Sequence, residues 1–115
     1  VTELSTQYFI LVLIWLHFVG DFLLQNDKIA KLKSSSLKWL AIHSYLYAVP
    51  FLFFGLKIAA VIGSMHGVVD FATSKLTKKY AQNESKRMFF TVIGFDQALH
   101  LSMLIGLFAI IEKYI

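Results

Sequence analysis

Four apolar stretches, separated by polar and mostly lysine-bearing segments, organise the chain at residues 8–24, 39–55, 58–74 and 88–111. The first reads YFILVLIWLHFVGDFLL, and only His17 and Asp21 interrupt it. The second, WLAIHSYLYAVPFLFFG, carries His43 and a predicted kink at Pro50. The third, IAAVIGSMHGVVDFATS, is the least apolar and holds His66 and Asp70. The fourth, MFFTVIGFDQALHLSMLIGLFAII, holds Asp96 and His100. Runs of 17 to 24 residues match the ~20 that cross a bilayer as helix. The pattern predicts an all-α fold, a four-helix transmembrane bundle forming one domain over residues 1–115. Between the stretches it predicts a lysine-rich polar segment at 25–38, a tight turn at 55–57 and a basic polar loop at 75–87.

The polar interruptions fall at one depth. His17 and Asp21 come late in the first stretch and His43 early in the second, while His66 and Asp70 come late in the third and Asp96 and His100 early in the fourth. In an up-down bundle, at ~1.5 Å per residue, all seven lie in one band roughly 6–18 Å below the same membrane surface. Three pairs, His17/Asp21, His66/Asp70 and Asp96/His100, are spaced four apart. That spacing puts both members of a pair on one helix face. Every histidine is in this layer, and so is every aspartate except Asp27. An Asp at such depth costs at least ~2–3 kcal/mol, so such groups face a cavity and carry function.

Composition agrees with the membrane reading. Hydrophobic residues make up 57% and charged residues 16%, against the ~25% charged that a soluble domain carries. Eleven Phe and a single Pro exclude a linker-like chain, and the absence of Cys excludes disulfides, thiolate ligands and cysteine nucleophiles. The start, VTELSTQ, has no basic residue, so the first stretch reads as a retained span and not as a signal peptide. The net charge is +4, and nine of the eleven Lys and Arg lie in the segments after the first and third stretches. By the positive-inside tendency both segments are cytoplasmic and both termini are outside, which predicts a multi-pass protein of the cell's inner (cytoplasmic) membrane. The lysines read chiefly as topology determinants, or else as holders of anionic lipid headgroups or a phosphorylated substrate. No nucleic-acid motif, Gly-rich phosphate loop, HExxH or GxSxG is present.

Imidazole and carboxylate together suit a divalent first-row metal: zinc first, manganese or iron as alternatives. A cation would also neutralise the buried carboxylates. The expected metal ligands are His17, Asp21, His66, Asp70, Asp96 and His100. Seven candidates exceed the four ligands of one tetrahedral zinc, so either two metals bind or some residues orient the others. His43, without a paired carboxylate, is the expected proton donor to a leaving group, and Asp96 a candidate general base. The same layer also fits metal-free hydrogen-bonded glue between helices, or a proton path. Gln25, Asn26 and Gln97 read as helix caps or as supports of the ligands. Ser44 and Tyr45 are expected to face neighbouring helices. Trp15, Trp39, Tyr8, Tyr47 and Tyr114 read as lipid-facing or interfacial aromatics. The small residues Ala59, Gly63 and Gly67 recur every four positions, so another helix can approach closely, including one from a homodimer partner.

The segments HFVGDFLLQ at 17–25, HGVVD at 66–70 with Lys75 after it, and DQALH at 96–100, with His43 before Tyr45, resemble those of a family of small bacterial and phage membrane proteins catalogued as a domain of unknown function. The resemblance covers nearly the whole chain. It implies a membrane protein and lends no activity. A looser likeness, in residue type alone, is to membrane-bound metal-dependent hydrolases with His and Asp on helices. The leading expectation is a metal-dependent hydrolase of a lipid-linked or amphipathic substrate within the membrane lipid. The alternatives are a divalent-cation or proton transporter or channel, and a metal-free accessory protein that binds a host membrane partner.

Overall fold

The computed structural model describes residues 3–114, with side chains described for 5–113. The terminal residues Val1, Thr2 and Ile115 and the Tyr114 side chain lie outside the described residues. Helix α1 spans Glu3–Phe18 and runs directly into one π-helical turn, Val19–Leu23. A short helix α2, Asp27–Leu32, follows, with the Asn26 side chain accepting the Ile29 N–H at 2.8 Å as its N-cap. Helix α3, Leu37–Ala48, tightens into a 3-10 segment, Val49–Phe54, where Pro50 removes a backbone donor. Gly55 turns the chain at φ +104°, a conformation a Cβ would strain, into α4, Leu56–Gln82. The last helix, α5, spans Lys86–Tyr114.

The fold is all-α, and four of its helical stretches are long and apolar enough to cross a membrane: Ser5–Leu23, Leu37–Phe54, Leu56–Gln82 and Lys86–Lys113. The longest dimension of the bundle is 48 Å, enough for a hydrocarbon layer of ~30 Å with its interfaces. Two connections differ from expectation. The basic loop expected at 75–87 is largely helix, because Lys, Leu, Ala and Gln in this stretch favour helix whatever their polarity. Helix length therefore outruns the apolar stretch. The segment after α1 likewise holds α2, anchored by the buried Ile29.

Apolar and polar side chains are turned inside out relative to a soluble bundle. Eight polar or charged residues are buried beside nine apolar ones among the described residues. Trp15, Tyr45, Phe53, Val68 and Phe90 stand exposed on the outside. Helix α4 lies centrally, packed on both α3 and α5. The small-residue stripe is used within the chain: a Cβ on Gly63 would lie 3.1 Å from the Ser44 carbonyl oxygen, and one on Gly67 would lie 2.6 Å from Ser44 Oγ. Within the chain, the close approach that this stripe permits is taken by α3. Ser44 faces α4 as expected, whereas Tyr45 points outward.

The bundle divides into two halves along its axis. The half nearer Gly55 is filled by Leu13, Phe51, Ala59, Ile62 and Leu104. There Phe9, Phe54 and Phe108 meet edge to face, with ring centroids 4.8–5.8 Å apart. Between helices in lipid such fit is the main attraction, since lipid tails are as apolar as leucine. The other half, toward the lysines, contains the polar layer.

Candidate metal centre

Each element delivers its polar side chains by a local device. Gly20 sits so tightly against α3 that a Cβ there would be 2.9 Å from the Tyr47 carbonyl oxygen. This approach coincides with the π-helical turn, in which Leu24 N–H donates to Val19 O at 3.0 Å, and that turn buries Asp21. Such single turns recur at functional sites because they re-aim a side chain. Helix α3 brings His43 and Tyr47, one turn apart on the same face. Helix α4 brings His66, Asp70, Thr73 and Ser74, all buried. Helix α5 brings Asp96, Gln97 and His100.

All seven expected residues come together in one cluster. A hydrogen-bonded chain centred on Gln97 orients part of it. The Gln97 amide nitrogen donates to Asp21 Oδ2 at 3.0 Å and to Asp96 Oδ2 at 3.2 Å. Its oxygen therefore faces His17 Nε2 at 2.7 Å, which requires a proton on that nitrogen. His17 Nδ1 is then an acceptor, and the Tyr47 hydroxyl donates to it at 2.7 Å. Both ring nitrogens of His17 are engaged by protein neighbours. This differs from its expected place among the ligands, and it follows from Gln97 and Tyr47 reaching in from facing helices.

The free carboxylate oxygens point at the remaining imidazoles. Asp21 Oδ1 lies 3.2 Å from His43 Nε2 and 3.4 Å from His66 Nε2, and the two nitrogens are 2.9 Å apart. Ligands held ~2.0–2.1 Å from a tetrahedral zinc stand ~3.3 Å from one another, so this triangle has the size of one face of such a site. A second group joins Asp21, Asp96 and His100, with donor atoms all within 4.8 Å of one another. Within it Asp96 Oδ1 is 2.9 Å from His100 Nε2 and accepts the Thr73 hydroxyl at 2.5 Å. Asp21 belongs to both groups. The His66 ring is stacked between those of Tyr47 and His100, at centroid distances of 3.8 and 4.1 Å.

Protons are scarce at the first triangle. Two imidazole nitrogens 2.9 Å apart can share only one hydrogen between them, yet Asp21 Oδ1 and Asp70 Oδ2 both also face His43 Nε2, at 3.2 and 3.3 Å. Three carboxylates, those of Asp21, Asp70 and Asp96, are gathered here. The ammonium that meets them among the described residues is Lys33, 3.1 Å from Asp70. Buried carboxylates need balancing charge, and among the described residues imidazoles, not ammonium groups, face Asp21 and Asp96.

A cavity of about 470 Å³ opens from this layer toward the lysine-bearing end. Asp21, Asp70, Asp96 and Gln97 line its floor, and Lys31, Lys33 and Lys78 line its walls. Behind the layer the next void is only about 10 Å³, room for a single water at most.

The profile of a family described as "Protein of unknown function (DUF3307)" matches residues 9–114. The chain belongs to that family. No curated protein and no solved structure matches the chain. The matched range takes in the whole polar layer, from His17 to His100.

Three residues enter the layer against expectation. Tyr47, expected at the lipid surface, is 2% exposed and bonded to His17, because its position one turn after His43 turns it inward. Thr73 holds Asp96, and Lys33, just after α2, reaches Asp70. Of the two roles expected for Gln97, cap or support, its bonds to His17, Asp21 and Asp96 are those of a support. His43 stands within the donor triangle, with two carboxylates facing it, and not apart from them.

Proposed function

We propose that this chain is a multi-pass protein of the inner membrane that holds one or two divalent ions, zinc first, and hydrolyses a lipid-linked or amphipathic substrate. The donor triangle of His43, His66 and Asp21, with edges of 2.9–3.4 Å and too few protons to fill it, carries this reading. His43 and His66 would hold one ion and Asp96 and His100 the other, with Asp21 shared between them. Gln97 and Thr73 fix the Asp21 and Asp96 carboxylates, and His17, held by Tyr47, fixes the Gln97 amide, as supporting groups around metals do. The metal's chemistry would be to supply hydroxide near neutral pH and to polarise the bond attacked. Asp70, beside His43 and open to the cavity, takes the proton of the attacking water and returns it to the leaving oxygen. Water thereby adds across the broken bond with no other reactant.

A divalent-cation or proton conduit is the competing use of the same layer. The packed apolar half behind it, with Phe51 fully buried and Leu104 and Ile62 nearly so, supports a site entered and left by one mouth. The positive-inside tendency places that mouth in the cytoplasmic leaflet.

Elemental analysis of protein purified without added metal tests the reading. One or two first-row divalent ions per chain are expected, and Asp21→Asn should lower occupancy by at least half because it removes a donor from both groups. Wild-type protein that carries no metal and takes up no zinc, manganese or iron on titration would overturn it.

A further inference from the structure

The cavity above the polar layer has features that the metal reading does not use. Ser74 is 8% exposed and lines the cavity, yet its hydroxyl has no hydrogen-bond partner among the described residues. Lys78, one turn further along α4, and Lys31 on α2 also line it, and neither has an ion-pair partner among the described residues. Lys33 completes the set, held by Asp70 at the cavity floor. A buried hydroxyl without a partner costs stability, and Lys31 and Lys78 carry no counter-charge among the described residues, whereas that of Lys33 is met by Asp70. Together they describe a place for an anion.

The shape of the chamber narrows the class. Its about 470 Å³ exceeds what a carboxylate fills. Acceptors on more than one side are needed to meet Ser74 and Lys78 from α4 and Lys31 from α2, and a tetrahedral oxyanion offers them. The remaining wall is apolar: Phe22, in the π-helical turn after α1, and Phe89 and Ile93, at the start of α5, line the same cavity. Phe22 is also exposed on the lipid-facing surface. An alkyl chain attached to the anion would therefore leave sideways into the bilayer between these residues, while the head stays over the carboxylate floor.

We propose that this chamber binds the phosphate head of an amphiphile, with Ser74, Lys31 and Lys78 on the phosphate and Phe22, Phe89 and Ile93 on the first part of its tail. This names the substrate class of the hydrolase proposed above and rests on that reading for what happens to the phosphate ester. The binding itself stands on the chamber alone.

The test is binding to detergent-purified full chain, with bound metal quantified on the same sample. The probes are short-chain phosphatidic acid, the phosphocholine lipid of the same chains, and inorganic phosphate. Phosphatidic acid should bind best, with inorganic phosphate competing at higher concentration. The Lys31→Met/Lys78→Met double variant should lose roughly tenfold or more in affinity, as expected for two cations near an anionic head, with metal content unchanged. Ser74→Ala should also weaken binding, and its fold is checked by thermal unfolding. Phosphocholine lipid bound equally well, or a double variant indistinguishable from wild type, would overturn the proposal. Inorganic phosphate bound as tightly as phosphatidic acid would overturn the amphiphile and leave a soluble phosphate source. Lysine-dependent binding to protein that holds no metal would support the chamber while sinking the hydrolase.

Discussion

Replacing Gln97 by Leu removes the amide and keeps nearly its volume, so the change is electrostatic and not one of packing. Three hydrogen bonds go, at 2.7 Å to His17, 3.0 Å to Asp21 and 3.2 Å to Asp96. Two of them end on carboxylates, and bonds to charged groups are worth ~1.5–3 kcal/mol each, against ~1 kcal/mol for the neutral one. Without metal, Gln97→Leu should therefore lose roughly 3–5 kcal/mol, allowing for partial relaxation. With zinc, ligation takes over part of the charge balance, so the loss shifts to affinity: about 10–100-fold, the usual effect of removing a group that orients ligands. Two measurements check this: thermal unfolding in detergent with excess chelator, and competition of the protein with a chelator of known zinc affinity. Gln97→Glu, which adds a carboxylate between two others, should be less stable still without metal and regain more on adding zinc. A Leu variant within twofold of wild type in affinity and unchanged in unfolding would refute the view that this amide holds the layer together.

Further outcomes follow from single contacts. Tyr47→Phe should cost ~1 kcal/mol through the lost bond to His17, while Tyr45→Phe, on the exposed face, should cost nothing measurable in the same unfolding assay. Gly20→Ala should destabilise by ~1–3 kcal/mol, the usual range for overpacking, because its Cβ meets the Tyr47 carbonyl at 2.9 Å. Gly106→Ala, facing open space, should be neutral or slightly stabilising; equal effects of the two would contradict the close approach of the π-helical turn to α3. Cysteines at Ser35 and Asn83 should react with impermeant thiol reagents from the cytoplasmic side, and one at Lys57 from the other. Labelling of all three from one face would contradict the four-span topology.

The bundle was legible because four stretches are apolar at membrane length, and the site because odd and even stretches carry their ionisable residues at opposite ends. Both features depend only on position along the chain. What escaped depends on side-chain reach across helices. Gln97, readable as a cap or a support, is one residue from Asp96, about 100° around an ideal helix; what spacing does not show is that its long side chain brings the amide back between Asp21 and Asp96. Tyr47 has a readable signal, since it follows His43 by four and stands midway along the second stretch, and reading it as an interfacial aromatic passes over both. Lys33 escaped because nothing in its own segment says that α2 folds back over Asp70. The π-helical turn lies with the fit of Gly20 against Tyr47, a contact between residues 27 positions apart that no local pattern encodes.

Charge supplies the last step. An aspartate at the centre of a membrane helix costs at least ~2.5 kcal/mol, and this fold gathers three of them within reach of four imidazoles. Lys33 answers for Asp70 alone. If hydrogen bonding between helices were the whole purpose, amides and hydroxyls such as Gln97 and Thr73 would serve without that cost. Instead, those neutral groups are bonded to carboxylates and aim them at lone pairs. Asp21 and Asp96 together leave two negative charges, the charge of one divalent ion, and a second ion would need hydroxide or an anionic ligand beside it. An anionic head lowered from the lysine-lined chamber would supply that charge where the two donor groups meet at Asp21, so the chamber and the layer beneath it read as parts of one site.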